Sequence, residues 1–74
     1  MKLGKYLHYK NKFYEVIGEA RHSETLEKLV VYYSLDKNFK RKSLWIRPKK
    51  MFLEKVEVSG KKVPRFKFIS AKID

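Results

Sequence analysis

The sequence predicts a mostly β domain, a small closed or nearly closed barrel of five or six short strands with one helical turn. Three observations carry that expectation. Several runs of four to eight residues alternate apolar and polar side chains at the two-residue period of a half-buried strand. Residues 29–35 form an unbroken apolar and β-branched run of strand length, and Asn11 and Gly60 sit where tight hairpin turns need a left-handed backbone. That many strands are too many for a lone hairpin and too few for a sandwich, and closing the sheet removes its exposed edges.

Tyr6-Leu7-His8-Tyr9 reads as a short edge-like strand, and Lys10-Asn11-Lys12 as the turn of a hairpin. From Phe13 to Arg21 the chain alternates, with Tyr14, Val16 and Ala20 expected on one face. Leu29 to Leu35 reads as a central strand covered on both sides. Between these strands, Ser23-Glu24-Thr25-Leu26-Glu27-Lys28 fits either a serine-capped helical turn or a plain hairpin loop. Leu44-Trp45-Ile46-Arg47 alternates again and stops at Pro48, which has no N–H for a ladder.

Lys49 to Leu53 reads as a single helical turn packing Met51 and Phe52 inward. Val56-Glu57-Val58 and Lys61-Lys62-Val63 flank Ser59-Gly60 as a hairpin, with Pro64 marking the second arm as an edge. Phe66, Phe68 and Ile69 form a last strand, and residues 70–74 are expected to fray. The residues expected mainly inward are Tyr14, Val16, Val31, Leu44, Ile46, Phe52, Val56 and Phe66.

Residues 1–74 have room for one domain and one core. A chain this short buries roughly 60% of its unfolded surface, so its stability is on the order of 4 to 11 kcal/mol. Without cysteine there is no disulfide, thiolate nucleophile or cysteine-ligated zinc, and two histidines make a poor metal site. No cofactor is expected. Five Phe, five Tyr and one Trp are far too aromatic for a disordered chain. Neither an export signal nor a membrane-length apolar run occurs, so a cytoplasmic, non-membrane protein is expected, and a monomer.

The formal charge of +11 is unevenly spread. Lys37, Lys40, Arg41, Lys42, Arg47, Lys49 and Lys50 fall within fourteen residues that hold no acidic residue, interleaved with Phe39 and Trp45. Two explanations compete: a locus for a negatively charged partner, or a solvated surface reflecting a general lysine bias, since phosphate recognition favours arginine and fifteen of the nineteen cations are lysine.

Six motifs in order, Tyr6-Leu7-His8-Tyr9-Lys10, Ala20-Arg21-His22-Ser23-Glu24-Thr25, Val30-Val31-Tyr32, Leu44-Trp45-Ile46-Arg47-Pro48, Met51-Phe52 and Val63-Pro64-Arg65-Phe66, resemble those of DUF1653, a small bacterial domain family of unknown function. The resemblance covers nearly the whole chain and implies an SH3-like β-barrel with no established activity. Family members usually carry glycine where this chain has Asn11, which tolerates the same turn. They are not as a rule strongly basic, so the charge of this member is its own feature.

Arg21-His22-Ser23-Glu24-Thr25 packs a base, hydroxyls and a carboxylate into five residues, but successive strand residues point to opposite faces, and nothing orients a base toward a nucleophile. No nucleophile elbow, phosphate loop or paired metal ligands occur. No catalytic residue is assigned, and the chain is not expected to be an enzyme. His22, Ser23, Glu24 and Thr25 are either turn-forming or ligand-contacting. Trp45 and Arg47 share one strand face, with Tyr9, Tyr33 and Lys42 as possible neighbours, and such a pair can hold an anion, a base or a peptide proline. The competing reading places Trp45 in the core and pairs Arg47 with a glutamate such as Glu54. The expected function is an uncharacterised binding module. The leading partner is nucleic acid, through Lys40, Arg41, Lys42, Lys49 and Lys50 beside Trp45. The alternative is a protein or peptide in an SH3-like groove.

Overall fold

The computed structural model describes residues 1–72. Its elements are β1 (Gly4–His8), β2 (Phe13–Arg21), β3 (Lys28–Leu35), β4 (Arg41–Pro48), α1 (Lys49–Phe52), β5 (Lys55–Val58), β6 (Lys61–Pro64) and β7 (Phe66–Ser70). The mostly β class holds, with seven strands where five or six were expected. Five of them form an antiparallel sheet in the order β4-β3-β2-β1-β7, and β5 and β6 pair only with each other. The sheet is therefore not closed into a barrel. Pro48 ends the β4 ladder, α1 turns the chain, and the β5–β6 ribbon forms a separate sheet instead of bridging β4 to β7.

The turns follow local chemistry. Asn11 takes φ 63° between β1 and β2, and Ser59 and Gly60 take φ 51° and 79° in the two-residue loop of the ribbon, the primed geometry that matches strand twist. Residues 22–27 form the β2–β3 hairpin loop, which holds one helical turn closed by the Leu26 N–H on the His22 carbonyl. Gly4 stands at φ 131°, and a Cβ there would collide with the Ser70 carbonyl oxygen and with Ala71. Replacing it by alanine should therefore loosen the β1–β7 pairing and cost about 1 to 3 kcal/mol in urea denaturation.

One face of the sheet is buried. Tyr6, Val16, Val30, Tyr32, Phe52 and Phe66 form the core cluster, with Tyr14 and Phe68 packed against it. α1 delivers Phe52, whose ring stacks on Phe66 at 4.0 Å between centroids, while Tyr6 meets Phe52 and Phe68 edge-on. Full burial of such a ring stabilises by about 1.5 to 3 kcal/mol. Met51, expected inward, is exposed.

The expected inward set is half right. Val16, Phe52 and Phe66 are buried, and Tyr14 packs on the cluster. On β3, however, Val30 and Tyr32 point inward, so Val31 lies on the opposite face and is only half-buried. Its cross-strand partner Ile46, and the Tyr33 partner Leu44, are 63% and 54% exposed. Residues 29–33 are apolar at every position, so their pattern carries no parity. Val56 is half-buried in the ribbon. Ala20 does not share a face with Tyr14 and Val16, because β2 slips register between Val16 and Gly18, leaving Ile17 as an extra residue. In the tail, Ser70 closes β7 and accepts a hydrogen bond from the Lys72 N–H. The rest of the stretch expected to fray, residues 73–74, lies outside the described residues.

Candidate functional site

A cleft of about 340 Å³ opens where the start of β2, the end of β3 and the start of β4 meet. Its aromatic lining is Phe13, Tyr14, Tyr32 and Trp45, and its polar lining is Lys12, Ser34, Lys42 and Arg47. Trp45 and Arg47 pair across the ladder with Tyr32 and Val30, so both sit on the core face. Their strand is the sheet's edge, so the face carries the core aromatics outward to a rim. Trp45 there is 51% exposed, which places it outside the buried core.

The indole is held in place. β4 carries a bulge in which Lys42 and Ser43 stand against the single residue Ser34. The Ser34 hydroxyl accepts from the Ser43 N–H at 3.2 Å and from the Trp45 Nε1–H at 3.3 Å. An exposed ring fixed in one orientation has already lost the rotamer freedom that a stacking partner would otherwise remove. The same bulge turns Lys42 into the cleft beside it.

Arg47 lies over the Phe66 ring at 5.4 Å. It does not pair with Glu54, which takes Arg65 at 2.8 Å instead. Among the described residues, no carboxylate lies within ion-pair distance of Lys12, Lys42 or Arg47. Three cations therefore share a cleft with no carboxylate in direct contact, while the Asp36 carboxylate in the adjoining β3–β4 turn feels the Lys42 charge from farther off. Tyr14 meets Tyr32 and Phe66 edge-on, and burial raises the pKa of its hydroxyl above the usual tyrosine value, keeping it a neutral donor.

Only part of the sequence-predicted cluster converges here. Of the neighbours expected for Trp45 and Arg47, Lys42 joins them, but Tyr9 packs on His8 near the β1–β2 turn and Tyr33 lies on the other face beneath Arg41. Arg41 is held by Glu15 through two hydrogen bonds of 2.9 and 3.0 Å, and Lys49 by Glu19 at 2.9 Å. Lys40 sits in the β3–β4 turn, where its N–H and that of Asn38 donate to the Asp36 carboxylate and hold its pKa down. Lys50 is exposed on α1, beyond the far end of β4. Phe39 packs edge-on against Phe13 under the Lys5 ammonium. The seven cations are thus dispersed over both faces and both ends of the sheet. The sequence reading missed Lys12, Tyr14 and Tyr32 as cleft residues, which strand pairing brings to Trp45 across long chain separations.

The His22–Thr25 segment stands apart, beyond the opposite end of β2 and β3. The His22 Nδ1 accepts from the Glu24 N–H at 3.1 Å and the Thr25 N–H at 3.4 Å, and the Thr25 hydroxyl accepts from the Glu27 N–H. Backbone bonds from His22 to Glu27 and from Leu26 to His22 complete the loop. The side-chain acceptors are spent on the turn, and Ser23 and Glu24 point to solvent with no side-chain partner among the described residues. Nothing in the loop meets Trp45 or Arg47.

His8 lies outside the cleft at the end of β1, its ring 4.9 Å from Phe66 and its Nδ1 accepting from the Lys10 N–H. Burial, then the charges of Arg47, Arg65, Lys10 and Lys12, lower its pKa below the ordinary 6.5. The unfolded chain thus takes up this proton first, so stability is full above about pH 6.5 and falls as pH drops toward the lower folded value. The Tm should decline by a few degrees between about pH 7 and pH 5, and His8→Gln should flatten that decline in a calorimetric series. Glu19 and Asp36, whose pKa values are lowered by hydrogen bonds from Lys49 and from the Lys40 backbone, act only below about pH 4.5.

Fold and cleft together define a small antiparallel β domain with one covered face and an aromatic, cation-lined cleft at its open edge. The chain belongs to the family described as "Protein of unknown function (DUF1653)", whose profile matches residues 4–68. It is similar to a crystal structure of a DUF1653 protein from Bordetella bronchiseptica, with a TM-score of 0.80 and 32% identity over 93% of this chain and 87% of that one. Comparison with curated proteins gives no match. No helix among the described residues is long and apolar enough to cross a membrane.

Proposed function

We propose that this domain binds single-stranded nucleic acid at the Trp45 cleft, without turnover. The observation that carries the reading is the exposed, hydrogen-bonded indole of Trp45 beside Lys12, Lys42 and Arg47, three cations with no carboxylate partner among the described residues. A base stacks on the indole, and the flanking phosphates take the cations. The Tyr14 hydroxyl supplies a donor. The cleft lies at the small end of ligand-site volumes, which suits one extruded base and not a duplex.

Salt dependence tests this. Each phosphate contact to a single strand contributes about 0.7 to the slope of log affinity against log salt. Changing Lys12, Lys42 and Arg47 together to glutamine should flatten the slope by about 2 units, equally for unrelated oligonucleotides. Changing Arg41 and Lys49, both engaged by glutamates, should flatten it by less than half as much. A wild type without affinity for oligonucleotides at low salt ends this reading.

The peptide alternative draws on one observation. β4 is an unpaired edge, and an extended segment added to it would direct side chains into the same cleft. Capture from lysate with and without nuclease distinguishes the two, because retention that survives nuclease while oligonucleotides fail to bind favours the peptide.

A further inference from the structure

A second hollow, of about 490 Å³, adjoins the Trp45 cleft at the β3–β4 end of the sheet. Lys12, Phe13, Leu35 and Lys42 line both, so the two run together as one groove with these residues at the join. Beyond the join the groove meets Asn11, Lys37 and the Asp36 carboxylate. Asp36 continues the two-residue spacing of Tyr32 and Ser34, the cleft residues of β3, one step past the end of the strand.

The Asp36 carboxylate is fixed and half used. Its Oδ1 accepts from the Asn38 N–H at 2.8 Å and from the Lys40 N–H at 2.9 Å. The backbone around it is closed as well, with the Asp36 N–H on the Lys40 carbonyl and the Phe39 N–H on the Asp36 carbonyl, each at 2.9 Å. Oδ2 takes no hydrogen bond and no ion pair among the described residues. The turn alone does not require an aspartate, because an asparagine offers the same Oδ1 acceptor. A carboxylate is also the wrong charge for phosphate. What aspartate adds over asparagine is a second acceptor oxygen, held in place beside Lys42 and Lys37.

We propose that the groove takes two successive nucleotides, one base on the Trp45 indole and the next against Asp36, whose free oxygen accepts from an exocyclic amino group and so selects cytosine over thymine or uracil. The proposal rests on the reading of the Trp45 cleft given above and adds base selectivity to it. In a single strand the pairing edge of a base is open to such contacts. Cytosine presents its N4 amino donor where thymine and uracil present the O4 carbonyl, which a carboxylate repels. Hydrogen bonds hold the Asp36 pKa down, so at neutral pH the group is an acceptor only. A preorganised acceptor costs little ordering on binding.

Titration with oligodeoxycytidylate and oligothymidylate of equal length, about six nucleotides, at low salt and neutral pH tests this. Trp45 is the chain's only tryptophan, so quenching of its fluorescence reads the first subsite directly. The two pyrimidines are alike in ring size, so stacking on the indole is nearly common to both. The wild type should bind the cytosine strand roughly 3- to 10-fold more tightly. Asp36→Asn keeps the turn acceptor and places an amide donor at the free position, so it should bind the thymine strand more tightly than the wild type does and bring the ratio to about one or below. Any loss of folded protein weakens both strands by the same factor and leaves the ratio unchanged. Equal affinity of the wild type for the two strands overturns the selectivity and leaves the Trp45 reading standing. So does a cytosine preference that persists undiminished in Asp36→Asn. No quenching by either strand ends both.

Discussion

Val30→Asp is expected to leave no folded protein at room temperature. Val30 is fully buried at the centre of the core face, among Tyr32, Val16 and Phe52 in the one hydrophobic cluster. An aspartate there has no buried cation to pair with, and an uncompensated buried charge costs about 3 to 5 kcal/mol beyond the lost packing. Against a total stability on the order of 4 to 11 kcal/mol, the two losses together remove most or all of it. Val30→Ala should cost about 2 kcal/mol and still fold, which separates lost packing from the charge. Val31→Asp, one residue along but on the half-buried outer face, should stay folded with a smaller loss. Urea denaturation followed by circular dichroism gives all three, and a Val31→Asp protein less stable than Val30→Asp would reverse the assignment of faces.

Trp45→Ala should weaken oligonucleotide binding by about 1 to 3 kcal/mol, roughly 5- to 150-fold, while changing stability by less than about 1 kcal/mol. The small stability term follows from position: the ring is half exposed on the edge strand, and its hydrogen bond to Ser34 is at the surface. Trp45→Phe should keep much of the affinity, since a smaller ring still stacks. Binding by fluorescence anisotropy and melting by calorimetry must be read together. A large fall in Tm alongside lost binding would place Trp45 in the core and remove the stacking argument.

What could be read from the residues was what local chemistry decides. Asn11 and Gly60 marked their turns because few residues take a left-handed backbone cheaply, and Pro48 marked the end of β4 because it lacks a donor. His22, Ser23 and Thr25 were legible as a turn or a contact loop, and the structure spends the His22 and Thr25 acceptors on the turn. The pairing of Trp45 with Arg47 on one face followed from spacing alone. Strand parity in residues 29–33 did not, since an apolar residue at every position fits either face, and the error passed across the ladder to Leu44 and Ile46. Charge was the least legible feature. Seven neighbouring cations look like one patch along the chain, yet Glu15 and Glu19, both distant in sequence, claim Arg41 and Lys49, while Lys12 enters the cleft from another turn. Closure failed for a similar reason, since nothing local says that β5 and β6 will pair with each other and leave two sheet edges open.

The extra residue at Ile17 acts as a half-period offset in the alternation of β2. Before it, even-numbered side chains enter the core; after it, Glu19 shares the face of Val30 and reaches the amino terminus and Lys49, while Ala20 goes to the other side. Ile17 is therefore a spare residue in the ladder. Deleting it would set Gly18 directly after Val16 and keep the pairs Gly18–Val31, Glu19–Val30 and Ala20–Leu29, so Glu19 would still reach α1 and the amino terminus and only the local kink of the strand would be lost. A relative one residue shorter at this point stays in phase at every position that follows.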